Sequence, residues 1–174
     1  MNAILVGMPG VGKTRLGKKV AEALNSPFID TDFLIERAYA KTSGSSLTSR
    51  SIFSKEGESF FRTLEKEQIA NLSPKSFSII STGGGAIENP DNCNAFCQLG
   101  IVIYLRCPIE LLWKRLAKKG IPAFIDSGNP QEAFYHLAKK RIPLYEEAAD
   151  FLIDMDTDAE FRILNIIKTK ISSP

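Results

Sequence analysis

A chain of 174 residues is long enough to bury one core and too short for two domains of ordinary size, so a single domain over 1–174 is expected. Its 44% hydrophobic and 24% charged residues exclude a disordered, fibrous or disulfide-scaffold protein. A formal net charge of +2 is far from the concentrated basic stripe of a nucleic-acid binder, so any selectivity for anions has to be local and no nucleic-acid partner is expected.

The first element is a short apolar strand, Ala3 to Val6, cut off by Gly7 and Pro9. A run this short is neither a signal peptide nor a membrane anchor, which makes a cytoplasmic protein without a membrane partner the expectation. GMPGVGKT follows at Gly7 to Thr14, a full match to the phosphate-binding loop, and it stands where that loop must stand, between a strand and a helix. Gly7, Gly10 and Gly12 lack β-carbons, so the backbone can wind around phosphates with its N–H groups inward. Lys13 then reaches the β- and γ-phosphates, and Thr14 offers its hydroxyl to Mg²⁺. Gly10, Val11, Gly12, Lys13, Thr14 and the adjoining Arg15 are the candidate contacts to ATP.

Leu16, Val20, Ala23 and Leu24 give the next helix an apolar stripe, and Phe28-Ile29 is the second strand. Asp30-Thr31-Asp32 leaves that strand at its carboxyl end, where open α/β sheets bind ligands. Two carboxylates so spaced suit one on magnesium-bound water and one on a substrate hydroxyl, with Asp32 as cap of a helix from Phe33 the alternative. Lys41 to Ser51 is polar and reads as a loop.

In FSKEGESFFRTLE, Phe53 to Glu65, Arg62 stands one turn from Glu58 and one from Glu65. Two readings stand: a surface ion pair, or a planar fork, flanked by Phe60 and Phe61, for a substrate carboxylate. Phe60, Leu64, Ile69 and Leu72 mark the core face of this helix. The third strand, Phe77 to Ile80, runs on to Ser81-Thr82 without the acidic residue that usually partners a phosphate loop, and Asp30 is the nearest replacement. Gly83-Gly84-Gly85 comes next, either a plain turn or a backbone surface that a ligand can approach closely.

Cys93, Cys97 and Cys107 are odd in number and lack zinc-ligand spacing, so all three read as reduced packing residues. Ile101 to Leu105 is the fourth strand. Leu111, Leu112 and Leu116 define an amphipathic helix in which Trp113 packs, and its basic run Lys114 to Lys119 makes Arg115 a candidate nucleotide contact. Lys118 to Pro130 reads as a second loop, placed as a mobile lid. His136 is expected on a solvated helix face. Arg141 sits in RIPLY at a helix end before a proline stop, where charge complementation of the helix terminus competes with a ligand role. Phe151 to Ile153 is the fifth strand, and Asp158 to Ile171, with Phe161, Ile163, Leu164 and Ile167, is a closing helix.

Strands alternating with helices predict a three-layer α/β fold: a five-stranded parallel sheet with helices on both faces. GMPGVGKT, DTD, FSKEGESFFRTLE, STGGGAI and RIPLY, in this order over nearly the whole chain, resemble shikimate kinase, and it is the ordered set that is specific. The resemblance implies a P-loop kinase fold with a substrate-binding helical segment about 32–72 and a lid about 118–130. It implies phosphorylation of the 3-hydroxyl of shikimate by ATP with Mg²⁺, in aromatic amino-acid biosynthesis; a monomer is expected. Lys13 and Asp32 would be catalytic, and Thr14 and Asp30 would serve the metal. Asp32, Arg62, Gly83, Gly84, Gly85 and Arg141 would hold shikimate. Two departures stand out. The segment from Leu34 to Arg50 is longer than the family's usual connection, and Ile121 stands in the lid where the family carries an arginine before proline. Another small-metabolite kinase, acting on gluconate or a nucleoside monophosphate, and a nucleotide-gated binding module without turnover are the alternatives.

Overall fold

The computed structural model describes residues 1–120, 125, 128–155 and 158–172. Five strands, β1 (Asn2–Val6), β2 (Phe28–Asp30), β3 (Ile79–Ser81), β4 (Gly100–Arg106) and β5 (Phe151–Asp154), pair in the order β2-β3-β1-β4-β5, and every pairing is parallel. Parallel strands need covered faces, and the central ones are mostly apolar for that reason. Ala3, Ile4, Ile79, Ile80, Val102 and Ile103 have no exposed surface. β3 begins two residues later than the periodicity suggests. Asn2 fixes the start: its Oδ1 accepts from Ser78 N at 3.0 Å and its Nδ2 donates to Leu99 O at 2.8 Å, so Ala3 opens the ladder against Ile79.

The helices are α1 (Lys13–Ala23), α2 (Thr31–Ser43), α3 (Ser49–Glu56), α4 (Glu58–Ala70), α5 (Pro90–Leu99), α6 (Ile109–Lys119), α7 (Pro130–Ala148) and α8 (Ala159–Ser172), with a 3₁₀ turn at Ala86–Glu88. On several helices periodicity alone picks a wrong residue or one too many. Phe61, Glu65 and Ile69, not Phe60 and Leu64, form the buried face of α4, and Phe60 is exposed. Leu111 and Phe161 are exposed as well, and Leu112, Leu116, Ile163 and Ile167 take the core. On α1 the buried alanine is Ala21, while Ala23 faces solvent.

The loop expected over 41–51 shrinks to 44–48, because α2 runs on to Ser43 and α3 starts at Ser49. Gly44, at φ 70, supplies the left-handed C-cap of α2, and Thr48 caps α3 by accepting from Ser51 N. The second expected loop is flanked by α6, which reaches Lys119, and by α7 from Pro130; residues 121–124 and 126–127, Ile121 among them, lie outside the described residues. Pro143 does not stop α7, which continues to Ala148. Tertiary packing overrides the lost hydrogen bond, since Tyr145, beyond the proline, is fully buried and stacks on Tyr104 with ring centroids 5.2 Å apart.

Two apolar clusters result. The larger surrounds the sheet, while Ile35, Tyr39, Ile52 and Phe61 form a smaller one among α2, α3 and α4. Trp113 packs against Phe134 at 5.9 Å between centroids, and His136 is exposed, each as its place in the pattern suggests. The three cysteines are free; Cys107 is buried, but Cys97 is exposed and is not a packing residue. Among the described residues no helix is long and apolar enough to cross a membrane.

Phe134 has no exposed surface and joins α6, α7 and the sheet. Phe134→Ala should destabilise the protein by about 3–5 kcal/mol in a urea titration, the usual cost of emptying an aromatic site in a closed core; a change under about 1 kcal/mol would show that α7 is not anchored there.

Candidate active site

The loops that leave β1, β2 and β3 meet at the carboxyl edge of the sheet. Gly7, Gly10 and Gly12 take φ values of 144, 82 and 108, in the region that side chains resist. α1 starts at Lys13 behind Gly12, which has no side chain to offer the helix's first N–H groups, so they remain available to an anion. Lys13 is 8% exposed, and its Nζ donates to Gly7 O at 2.7 Å and Met8 O at 3.2 Å. Burial lowers its pKa to about 8, against the opposing pull of Asp32 and Asp30.

Asp30 ends β2 and is itself the N-cap of α2: its Oδ1 accepts from Asp32 N at 3.0 Å. The cap is therefore not Asp32, and the helix starts two residues earlier than Phe33. The other Asp30 oxygen accepts from Thr14 Oγ1 at 2.9 Å, and Ser81 Oγ lies 3.4 Å from the same hydroxyl. One carboxylate and two hydroxyls are a hard-oxygen set. Among the described residues no group of three or more His, Cys, Asp or Glu could hold a metal. A cation here would need ligands from a bound nucleotide, which is how Mg²⁺ is ordinarily held at phosphates, and the residues present fit that ion.

Asp32, in the first turn of α2, faces a cavity of about 200 Å³ with Arg62, Glu65, Gly83, Gly84, Gly85, Arg141, Phe53 and Phe61. Burial pushes the Asp32 carboxyl up to about 6, and the neighbouring Asp30 adds to the rise while Lys13 opposes it. At neutral pH it is an anion near the end of its range, suited to accept a proton.

Neither Arg62 nor Arg141 is a surface charge. Arg62 Nη1 donates to Glu65 Oε2 at 2.7 Å, and Glu65 is 1% exposed. The rings beside the guanidinium are Phe53 and Phe61, at 5.9 and 5.6 Å, rather than Phe60. Burial raises the Glu65 pKa against the pull of Arg62. Glu65 Oε1 is buried with no hydrogen-bond partner among the described residues, an acceptor left open. Arg141 is 2% exposed in mid-helix, not at a helix end, and its Nη2 donates to Glu88 Oε2 at 2.8 Å. Burial pushes Glu88 up, but Lys140 and Arg141 outweigh it and hold the carboxyl below its usual value.

The three glycines are there for close approach, not for unusual φ. A β-carbon on Gly83 would lie 2.8 Å from Glu65 Oε1, one on Gly84 2.7 Å from Pro9 Cδ, and one on Gly85 2.3 Å from Arg62 Nη2. Thr31 Oγ1 accepts from Gly83 N at 3.0 Å, and Tyr145 Oη donates to Gly84 O. Arg15 and Arg115 come together elsewhere, in a depression of about 410 Å³ with Met155 and Glu160 on the outer side of α1.

The structure thus gathers Asp32, Arg62, Gly83 to Gly85 and Arg141 around one cavity, with the phosphate loop against it through Pro9. Sequence reasoning missed Ser49 and Arg50, which also line the cavity but fell in a segment read as loop. It missed Glu88 because nothing in STGGGAIE links it to RIPLY, 53 residues away.

A family model described as shikimate kinase matches residues 9–171. The shikimate kinase of Thermodesulfovibrio yellowstonii is 37% identical over 155 residues, covering 89% of this chain and 86% of that protein. Among solved structures, the shikimate kinase of Acinetobacter baumannii in complex with shikimate matches with a TM-score of 0.82 at 36% identity, over 98% of this chain and 92% of that one. The shikimate kinase of Aquifex aeolicus matches with a TM-score of 0.76 at 27% identity, over 100% of both chains.

Asp32 has a raised folded-state pKa, so its charge opposes folding above about 6 and ceases to do so once it is protonated. Asp32→Asn should therefore raise Tm at pH 7.5 by about 2–6 °C, from an effect on the order of 1–2 kcal/mol. The gain should shrink as pH falls from about 6 towards the ordinary value of 3.8. Differential scanning calorimetry across that range decides it, and a Tm that drops at pH 7.5 would mean the carboxylate stabilises the fold.

Proposed function

Since the chain belongs to the shikimate kinase family, we propose that it transfers the γ-phosphoryl group of ATP to the 3-hydroxyl of shikimate, giving shikimate 3-phosphate and ADP. The observation that carries this is the pairing within one cavity of an anionic acid, Asp32, with two guanidinium groups, Arg62 and Arg141, beside a phosphate-binding loop. A small carboxylate bearing hydroxyls fits that combination.

ATP lies along the loop, its phosphates facing the N–H groups of Gly10, Val11 and Gly12 and the amine of Lys13. Arg15 and Arg115 border the depression offered to the rest of the nucleotide. Magnesium held through Thr14 and Asp30 supplies charge neutralisation at the phosphates when it is bound. Arg62 and Arg141 grip the acceptor carboxylate, and the Gly83 to Gly85 turn and Glu65 Oε1 meet its hydroxyls. Asp32 takes the proton as the acceptor oxygen forms its bond to the γ-phosphorus and the bond from that phosphorus to the β,γ-bridging oxygen breaks. ADP leaves with the electron pair. Orientation and charge neutralisation supply most of the acceleration.

The helices of 32–72 are the acceptor-binding segment in this reading, and their own small cluster gives them cohesion. The free cysteines fit the reducing, ATP-rich cytoplasm.

A coupled ADP-release assay with Mg-ATP should respond to shikimate and not to gluconate or nucleoside monophosphates. Asp32→Asn should lower kcat by about 10²–10⁴-fold, the usual worth of a positioned base. With the Asp32 pKa at about 6, wild-type kcat/KM should fall as pH drops through that value. ATP binding without turnover on any acceptor would sink the kinase reading.

A further inference from the structure

The proposed chemistry leaves one cation of the acceptor cavity without a role. Arg50 lines the same cavity as Asp32, Arg62 and Arg141, but it comes from the first turn of α3. That turn is held firmly. Ser51 N donates to Thr48 Oγ1 at 3.2 Å, Ser49 N to Glu36 Oε1 at 2.8 Å, and Ser49 Oγ to the backbone carbonyl of Asp32 at 3.0 Å. The stem of Arg50 therefore rises from a unit bonded directly to the residue that carries the acid.

The other end of the side chain reaches the end of α6. Its Nη1 lies 3.4 Å from where a β-carbon on Gly120 would be. Gly120 closes α6, and Leu116, one turn earlier, comes within 3.2 Å of the β-carbon position of Gly10 in the phosphate loop. Arg50 thus stands between the α2–α4 helices that line the cavity and α6, the helix that rests on the phosphate loop.

Arg50, Arg62 and Arg141 line the cavity together with Asp32 and Glu65. Arg62 is engaged by Glu65 and Arg141 by Glu88, which fixes both where an acceptor carboxylate sits. The residue after Gly120 in the sequence, Ile121, brings no charge. We propose that Arg50 is a catalytic residue that contacts the phosphoryl group in transit and, together with Lys13, neutralises the charge gathered on its oxygens. The inference rests on the shikimate kinase reading. Arg50 moves no proton and makes no covalent bond; it acts by charge and by the planar fork that suits phosphate oxygens.

The test compares wild type, Arg50→Ala and Arg50→Lys by steady-state kinetics, by calorimetric binding of shikimate and of shikimate 3-phosphate, and by Tm. Arg50→Ala should lower kcat by at least about 30-fold, since cations on a transferring phosphoryl are worth several powers of ten, while KM for shikimate stays within about threefold. Shikimate 3-phosphate should bind about tenfold more weakly to Arg50→Ala, with shikimate affinity unchanged. Arg50→Lys, which keeps the charge and loses the fork, should recover part of kcat and settles the matter should the alanine variant fold poorly. An unchanged kcat overturns the role, as does a loss found wholly in KM for shikimate, which would move Arg50 to the acceptor carboxylate. Those results require an active wild type. A wild type silent towards shikimate instead brings down the functional reading and this inference with it.

Discussion

Three ionisable side chains, Lys13, Glu65 and Arg141, are withdrawn from water at one edge of the sheet, with 8%, 1% and 2% of their surface exposed. Isolated, each would cost several kcal/mol, so the structure has to answer each with a partner. Glu65 takes Arg62, Arg141 takes Glu88, and Lys13 turns to the carbonyls of Gly7 and Met8. These pairings do more than compensate burial. They hold two guanidinium groups and one amine at set positions around a cavity, and they keep those groups charged in a place where charge acts through little water.

Backbone packing then decides how close a ligand can come. The turn after β3 passes so near Pro9, Glu65, Asp32 and Arg62 that a methyl group at any of its three glycines would collide. Thr31 and Tyr145 pin the turn from opposite sides through Gly83 N and Gly84 O. Tyr145 is itself placed by a helix that continues through Pro143, so a core contact with Tyr104 reaches the site through one hydroxyl.

Much of the fold was legible because buried parallel strands are short, apolar and separated by helices of plain periodicity. All five strands are found within a few residues of where the apolar runs lie, and the phosphate loop follows from spacing alone. What failed has a common cause. Phe60 against Phe61 is an adjacent apolar choice that only tertiary packing resolves, and packing likewise leaves Leu111 and Phe161 exposed while Leu112 and Ile163 take the core. Arg62 looked equally like a surface ion pair because sequence shows the i,i+3 spacing to Glu65 but not the burial of that carboxylate. Glu88 and Arg50 were out of reach altogether: one acts over a separation of 53 residues, and the other sits in a polar segment whose helix forms only against α2 and α4.

Asp30, Thr31 and Asp32 show how little sequence such a site needs once the sheet is in place. The chain passes there from strand to helix, and the change of backbone direction sends three consecutive side chains to three destinations. Asp30 caps the helix with one oxygen and takes the Thr14 hydroxyl with the other, so the nucleotide loop is tied to the start of α2. Thr31, fully buried, accepts from Gly83 N and so ties the same point to the glycine turn. Asp32 alone is left for the cavity, and its backbone carbonyl takes Ser49 Oγ from α3. Phosphate loop, glycine turn and the helices beside the cavity are thereby joined through a span of three residues. A displacement of any one of them would shift the Asp32 carboxylate relative to both the phosphate loop and the cavity, the kind of error that positional catalysis tolerates least.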